Sequence, residues 1–323
     1  MRLDFAPMEG ITGRVFREVH AACFAGVDRY WMPFFSPTSA GELTPRQRRD
    51  LEPGPLGTAR LVPQVLTRNA DAFLRAAAAL AELGYEEVNL NLGCPSGTVV
   101  SKGKGAGMLR DPAGLDCFLE AVFARSPLPI SVKTRIGFES AQEWELLLPI
   151  LARYPIRELT VHPRTRWELY RGGVHRDAFL RALETLSVPL RYNGNLFTPD
   201  GIRRLEAACP GLSGVMVGRG LLADPALATR LRGGVRERGA LIAFHETLAE
   251  RYLETMHPDG AVLPKFKELW AFLSLLLEDG RPWKRLRKCS RWAVFHPMAL
   301  ELLQNAPLRD EADFSRLEQR ECW

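Results

Sequence analysis

One pattern repeats along the first 233 residues of the chain and limits the folds open to it. A short β-branched run that ends in polar or glycine residues alternates with an amphipathic helix. Such alternation is typical of a parallel sheet with helical crossovers. Eight units of this kind favour a (β/α)8 TIM barrel, the usual size of which is about 250 residues. The predicted strands are residues 4–8, 30–33, 61–66, 87–91, 130–135, 158–162, 190–193 and 214–218.

An open, doubly wound α/β sheet is the structural alternative to a barrel. That fold places a glycine-rich turn directly after its first strand, where a dinucleotide pyrophosphate binds. Here residues 6–10 read APMEG, which lacks that spacing of glycines. The strand count and the positions of the polar residues at the strand ends therefore favour the barrel.

The pattern changes at about residue 236, and no further strand is predicted beyond it. Apolar residues recur at helical spacing over residues 242–256 and again over 266–276. We therefore predict a barrel domain over residues 1–235 and an all-helical C-terminal domain over residues 236–323.

The composition excludes several classes of protein. Of the 323 residues, 46% are hydrophobic and 25% are charged, as in average globular proteins. No apolar run approaches the roughly 20 residues that span a membrane, and the first residues lack the apolar stretch of a signal peptide, so we expect a cytoplasmic protein with no membrane partner. The six cysteines, including Cys322, are scattered without a CxxC pair, which predicts reduced thiols and no metal site.

Polar residues collect where the predicted strands end. In a (β/α)8 barrel the active site lies on that face. A single polar residue at a strand end is unremarkable, but seven strands that end this way favour a shared site. The residues concerned are Pro7, Met8, Glu9, Gln64, Asn91, Cys94, Lys133, Arg135, His162, Arg164, Asn193, Gly194, Asn195, Gly218 and Arg219.

The ends of the last two strands have the character of a phosphate site. Glycines there, including Gly218, leave backbone N–H groups free, and a short helix that begins near Leu221 directs its positive end toward them. Arg219 adds a fixed cation. A phosphate site at this position, combined with Lys133 on the fifth strand, indicates flavin mononucleotide (FMN), the reduced form of which a lysine stabilises. The alternative is that the glycines only turn the chain.

The segment NLNLGCPSGTVVSKGKGAGML at residues 89–109 holds the most distinctive cysteine. Cys94 follows a strand directly, in a loop that also carries Lys102 and Lys104. A cysteine at a barrel mouth close to cations is a candidate nucleophile or proton donor. The glycines of the loop predict that it can move over a substrate.

A series of motifs in this order resembles the tRNA-dihydrouridine synthases of bacteria. The motifs span the whole barrel, which makes the resemblance specific. They are APMEGITG at 6–13, VPQVL at 62–66, the segment at 89–109, VKTRIG at 132–137, VHPRTR at 161–166, YNGN at 192–195 and VMVGRG at 215–220.

The resemblance implies a two-step reduction of uridine in RNA. NADPH would reduce FMN, hydride would then pass from the flavin to C6 of uracil, and Cys94 would protonate C5. Asn91 matches a position that holds the uridine, and Arg135 and Arg164 line the same mouth. The positions assigned to the cofactor are Pro7, Met8, Glu9, Gln64, Lys133, His162, Asn193, Gly194, Asn195, Gly218 and Arg219.

The chain also carries a candidate RNA-binding surface outside the barrel. Residues 281–291 contain six basic side chains and no acidic one, whereas residues 236–323 as a whole have 14 basic and 14 acidic side chains. With Lys102 they are predicted to contact RNA phosphates, which would supply the energy for unstacking the uridine; a solvated basic helix face is the alternative. The six residues are Arg281, Lys284, Arg285, Arg287, Lys288 and Arg291.

Two departures leave the choice of RNA open. Many family members have glycine where this chain has Pro163, and an acidic residue where it has Asn195. We expect a monomer that acts on tRNA, with ribosomal RNA as an alternative substrate. The competing functions are a small-molecule flavoenzyme of the dihydroorotate dehydrogenase or ene-reductase kind, and an RNA-binding protein without catalysis.

Overall fold

A computed structural model of the chain describes residues 1–38, 43–52, 54–256 and 261–317. Its strands form one sheet, all of whose pairs are parallel, in the order β3-β2-β1-β9-β8-β7-β6-β5-β4. They are β1 (Arg2–Phe5), β2 (Arg29–Trp31), β3 (Arg60–Val62), β4 (Gln64–Val65), β5 (Val88–Leu92), β6 (Ile130–Gly137), β7 (Leu159–Thr165), β8 (Leu190–Asn193) and β9 (Gly214–Val217).

The predicted TIM barrel is confirmed, with one strand divided. The segment predicted as one strand over 61–66 forms β3 and β4, which meet at Pro63. Proline has no N–H to donate, so the ladder is interrupted there. β3 pairs with β2 and β4 with β5, and Phe35 beyond β2 bridges to Val65. The two ends of the sheet are thus joined through the chain, and nine strands occupy the eight positions of the barrel.

Helices follow the strands and surround them. They are α1 (Arg14–Cys23), α2 (Pro45–Leu51), α3 (Ala70–Glu82), α4 (Gly97–Val100), α5 (Pro112–Arg125), α6 (Trp144–Ala152), α7 (Arg176–Thr185), α8 (Pro199–Ala208), α9 (Arg219–Ala223), α10 (Leu227–Leu231), α11 (Arg238–Thr255), α12 (Val262–Leu273), α13 (Arg281–Leu286) and α14 (Trp292–Asn305). Beyond β9 the described residues form no further strand of the sheet. None of the described helices has the length and apolar character needed to cross a membrane.

The C-terminal helices share a hydrophobic core with the barrel. Phe244 of α11 packs edge-on against Phe16 of α1 with ring centroids 5.6 Å apart. Phe314 stacks on Phe197, which follows β8, at 3.6 Å. The buried apolar residues of both regions form one cluster, so the division at residue 235 stays a prediction based on chain order. Cys322 lies outside the described residues.

Strand periodicity explains how polar residues enter the barrel. Side chains two residues apart on a strand point to the same face. Ser131, Lys133 and Arg135 of β6 therefore share one face, as do Asn89 and Asn91 of β5. These residues lie one after another between the bottom of the barrel and its mouth, which is at the carboxyl ends of the strands.

A buried ion-pair network closes the bottom of the barrel. Arg191 on β8 is fully buried and contacts Glu158 through two hydrogen bonds of 2.9 and 3.0 Å. Its Nη1 also lies 3.1 Å from Oδ2 of Asp4 on β1. Arg29 on β2 pairs with the same two carboxylates. Arg2 and Glu87 extend the network through Glu158 and Arg29, so it links several segments around the barrel.

Replacing Arg191 with Met is expected to lower the free energy of unfolding by about 3–5 kcal/mol, because it leaves the buried carboxylates of Asp4 and Glu158 to share one remaining buried cation, Arg29. Arg203→Met is the matched control, since Arg203 pairs with Asp200 on the surface and such pairs contribute about 1 kcal/mol or less. Urea unfolding followed by circular dichroism measures both. Equal losses in the two variants would contradict a stabilising role for the network.

Candidate active site

A cavity of about 220 Å³ opens at the carboxyl ends of the barrel strands. Its wall contains most of the residues that the sequence assigned to the cofactor or substrate. Those that line it are Pro7, Met8, Glu9, Gln64, Asn91, Cys94, Lys133, Arg135, His162, Asn193, Gly194, Gly218 and Arg219. Asn195, Arg164, Lys102 and the basic residues of 281–291 do not line it.

Lys133 projects from β6 into this cavity, opposite Asn91 on β5 in the strand register. Burial lowers the pKa of Lys133 to about 7, and the neighbouring Arg135 guanidinium adds to the shift. The thiol of Cys94 acts in the opposite direction. An anionic group that enters the cavity stabilises the charged form of this lysine.

Cys94 is held at the mouth by hydrogen bonds to the backbone around it. Oδ1 of Asn91 accepts from the backbone N–H groups of Gly93 and Cys94 at 3.0 and 2.9 Å. Nε of Arg135 donates to the Gly93 carbonyl at 2.9 Å. Gly105 has φ = 58°, and a Cβ there would lie 2.9 Å from the Cys94 carbonyl oxygen. Only glycine fits at position 105, so the following segment packs directly on the cysteine.

The surroundings of Cys94 favour a proton donor over a nucleophile. Burial raises the pKa of the Cys94 thiol, and the carboxylate of Glu9 across the cavity contributes in the same direction. A backbone hydrogen bond from Ser96 and the cations of Arg135 and Lys133 oppose the shift without reversing it. The sulfur therefore carries its proton at neutral pH, as a general acid requires.

A chain of hydrogen bonds runs from Cys94 down through the barrel interior. Nδ2 of Asn91 donates to Gln64 Oε1 at 2.7 Å, and Gln64 Nε2 donates to Asn89 Oδ1 at 2.8 Å. Asn89 continues to Ser131 Oγ at 3.0 Å, which donates to Glu87. Because each amide uses both its oxygen and its nitrogen, the orientations of Asn91 and Gln64 at the cavity wall are fixed.

His162 is a neutral residue of the cavity wall. Burial holds the pKa of His162 well below its ordinary range, and the cations of Arg135 and Lys133 lower it further. Nη1 of Arg164 lies 3.1 Å from His162 Nε2. Since an arginine only donates, Nε2 is the acceptor and the ring proton resides on Nδ1.

Pro163 is accommodated by a bulge between β6 and β7. The pairing passes from Arg135–His162 to Gly137–Thr165, so β7 has one extra residue there. A bulge leaves a residue out of the ladder, and proline is tolerated at such positions. Proline at this position, where many family members have glycine, therefore leaves the neighbouring His162 in the cavity wall.

Arg164 and Asn195 support the wall without lining it, which differs from the direct contacts that the sequence predicts. Arg164 is fully buried and donates to the carbonyls of Arg171 and Gly172 as well as to His162. Oδ1 of Asn195 accepts from Arg164 at 3.1 Å and from Arg219 at 2.8 Å. Both residues thus act by positioning their neighbours.

The corner formed by Gly218 and Arg219 fits the phosphate predicted for it. A Cβ at position 218 would lie 2.9 Å from the sulfur of Met8, so glycine keeps this part of the cavity open. The guanidinium of Arg219 is fixed by Asn195 and lies over the ring of Tyr170 at 4.8 Å. α9 begins at Arg219, two residues earlier than the helix start predicted near Leu221. A fixed cation beside an open backbone suits an anionic group.

Tyr170 is the main cavity residue that the sequence analysis missed. It lies in the loop after β7, and its ring is 5.4 Å from the guanidinium of Arg135 and 6.0 Å from the ring of His162. Arg135 also donates to the carbonyl of Leu169 at 2.8 Å, in a residue with φ = 52°. An aromatic residue in a loop at the catalytic end of a strand was the available signal. Phe34 after β2 is a second lining residue of this kind.

The remaining predicted residues lie outside the cavity. Lys102 is exposed in the turn that follows α4. Residues 105–109 of the same loop are buried, and Gly105 and Gly107 allow this segment to pack closely. Movement of the loop over a substrate stays a prediction. Among the described residues, no group of three or more His, Cys, Asp or Glu side chains has the arrangement of a metal site.

Comparison with known proteins agrees with the enzyme family that the sequence motifs indicate. The family model described as dihydrouridine synthase matches residues 4–290. A probable tRNA-dihydrouridine synthase of Staphylococcus epidermidis is 29% identical, covering 87% of this chain and 86% of the relative. A tRNA-dihydrouridine(16) synthase of Pseudomonas putida is 28% identical, covering 98% and 95%. One from Ralstonia nicotianae is 33% identical, covering 72% and 73%.

Solved structures show the same barrel at low sequence identity. Morphinone reductase aligns with a TM-score of 0.51 at 14% identity, covering 75% of this chain and 88% of that one. The old yellow enzyme homologue from Zymomonas mobilis aligns with a TM-score of 0.51 at 12% identity, covering 72% and 87%.

The fold and the cavity define a (β/α)8-barrel enzyme with its site at the carboxyl ends of the strands. The chain belongs to the dihydrouridine synthase family, as its motifs indicated. It is accordingly an oxidoreductase, and the family points to a flavin cofactor.

Proposed function

We propose that this member of the family reduces uridines of tRNA to dihydrouridine, with FMN as cofactor and NADPH as electron donor. The observation that carries the proposal is the pair of Cys94 and Lys133 in the wall of one cavity, a protonated thiol beside a buried lysine whose charged form an anionic cofactor would stabilise. The relatives named as tRNA-dihydrouridine synthases support tRNA as the substrate.

Each of the main residues of the cavity has its own role in the proposed reaction. When bound, FMN supplies the hydride that reaches C6 of the uracil ring. Cys94 gives its proton to C5, so the double bond gains one hydride and one proton, and the thiolate is protonated again from solvent. Lys133 and Arg219 would offset the negative charge of the cofactor, Lys133 at its ring and Arg219 at its phosphate. Asn91 and Arg135 keep Cys94 in place through the loop at Gly93.

The cofactor and the reductant are tested together. Flavin released from the denatured protein should be FMN by chromatography, and NADPH should bleach the bound flavin faster than NADH under anaerobic conditions. Release of FAD, or faster bleaching by NADH, would contradict this part of the proposal. A protein purified without flavin that does not take up FMN would favour an RNA-binding protein without catalysis.

The choice of RNA is tested with the reduced protein. Addition of an unmodified tRNA transcript should restore the flavin absorbance, and ribosomal RNA transcripts of equal nucleotide concentration should not. Restoration by ribosomal RNA alone would overturn tRNA as the substrate. A flavin that responds to neither RNA would favour a small-molecule enzyme.

The helical residues 236–323 are proposed to bind the RNA outside the barrel cavity. The exposed cations of α13 support this, because phosphate contacts supply the energy for turning a base out of a stack. We infer a cytoplasmic enzyme, since its proposed substrate and reductant are found in the cytoplasm, and we keep the monomer expected from the sequence as part of the proposal.

A further inference from the structure

A second cavity, of about 580 Å³, lies in the helical region away from the active site. Its floor is formed at the end of α12 by Ala271, Ser274 and Leu275, and its walls come from α13 and from residues 316–317. Nothing in the chemistry proposed for the barrel uses it. The side chains that give it its character are Arg281, Trp283, Lys284, Arg287 and Arg316.

The cavity divides the basic run of residues 281–291 into two sets. Lys284 and Arg287 are three residues apart, which places them on one side of a helical turn, and both line the cavity together with Arg281. Arg285 and Lys288 are equally exposed but do not line it. The sequence treated these residues as one patch, whereas the structure separates them.

The charge of the cavity is positive and partly fixed. Arg316 is held by Asp313 at 3.3 Å and by the carbonyl of Glu278 at 2.8 Å. Among the described residues, Asp279 is the only carboxylate of the lining, and Arg281 pairs with it at 2.7 Å. The lining thus holds the half-buried Trp283 and four cations, of which Lys284 and Arg287 have no carboxylate partner among the described residues. An aromatic face beside free cations is the combination that binds a single-stranded nucleotide.

We propose that this cavity binds one unstacked nucleotide of the RNA substrate, separate from the uridine that is reduced. The base would stack on Trp283, and its phosphate would contact Lys284 and Arg287. Stacking of this kind tolerates any base, because every base has a π face. The inference rests on the proposed function and adds to it a second point at which the same RNA is held.

α12 connects this cavity to the active site. Nζ of Lys265 on α12 donates to the carbonyl of Gly10, next to the cavity residue Glu9. Ala271 lies six residues further along the helix, about 9 Å at 1.5 Å per residue. α12 thus runs from the rim of the first cavity to the second, and we expect one RNA strand to reach both, so that binding in the second helps to anchor the RNA while the uridine enters the first.

Two double variants of equal charge test the proposal. The probe is an unmodified tRNA transcript, and its affinity is measured by fluorescence anisotropy at a fixed salt concentration. K284E with R287E should weaken binding at least about 10-fold, and R285E with K288E less than about 3-fold, since only the first pair lines the cavity. Equal losses would show a diffuse electrostatic surface and would overturn the proposal.

Substitution of Trp283 tests stacking separately from charge. Trp283→Leu should weaken tRNA binding about 10-fold, whereas Trp283→Phe should retain most of it. Thermal melting shows whether either Trp283 variant loses its fold. If one of them unfolds, the two charge variants alone test the proposal. Unchanged affinity in a folded Trp283→Leu variant would overturn the proposal. If the wild-type protein binds tRNA but forms no dihydrouridine, the proposed function fails. The tRNA affinities of the variants still test whether the second cavity binds RNA.

Discussion

Cys94→Ala is expected to lower dihydrouridine formation by about 10²- to 10⁴-fold, the usual contribution of a general acid. The reason is that C5 of uracil must gain a proton as C6 gains hydride, and Cys94 is the thiol in the cavity wall. The rate is measured as dihydrouridine per tRNA after anaerobic mixing of the reduced protein with a tRNA transcript.

The flavin half of the reaction should continue in that variant, because reduction by NADPH does not require the cysteine proton. Cys117→Ala is the matched control, since Cys117 is exposed on α5 and takes no part in the cavity. Dihydrouridine formation at the wild-type rate in Cys94→Ala would refute the proton-donor role. An equal loss in the control variant would point to an effect on folding.

Lys133→Met is expected to have the second-largest effect, a loss of about 10²- to 10³-fold in hydride transfer. Methionine keeps the length of the side chain but removes the charge that offsets the developing anion. Lys104→Met is the control, because Lys104 contacts Ser36 and does not line the cavity. Single-turnover kinetics at saturating tRNA separate this loss from weaker binding, and an unchanged rate in Lys133→Met would contradict the assignment.

The pKa of Lys133 also predicts a pH dependence of cofactor binding. With its pKa lowered to about 7 by burial, Lys133 is charged below that pH and loses its proton above it in the cofactor-free protein. FMN affinity should therefore fall as the pH rises through about 7. The pKa of Cys94 is raised and that of His162 is lowered, so neither titrates near 7. Isothermal titration with FMN should show that the affinity depends less on pH in Lys133→Met than in the wild-type protein. Identical pH profiles would contradict Lys133 as the origin of the dependence.

The strand-end residues were predictable because the barrel topology fixes where they must meet. Once β5 and β6 are recognised as neighbours, Asn91 and Lys133 follow at the same level, and the register bears this out. The parallel barrel and the family were likewise confirmed. The interruption at Pro63 was missed, and proline's missing N–H gave a signal for it.

Residues that act through loops were not predictable in the same way. Arg135 and Arg164 both lie near the carboxyl end of a strand, yet Arg135 reaches the cavity and Arg164 turns into the carbonyls of the loop after β7. A bulge at Pro163 decides this, and a single sequence does not locate bulges. Tyr170 enters the cavity through a loop whose path depends on bonds made by Arg135. The division of the basic run depends on how α13 packs, which sequence spacing leaves open.

Direct detection of dihydrouridine tests the central claim most simply. An unmodified tRNA transcript is incubated with the protein, FMN and NADPH without oxygen, then digested and analysed by mass spectrometry. We predict a uridine that has gained two hydrogen atoms at a defined position, with wild-type protein and not with Cys94→Ala. A flavin that NADPH reduces, combined with a transcript in which every uridine keeps its mass, would contradict the account.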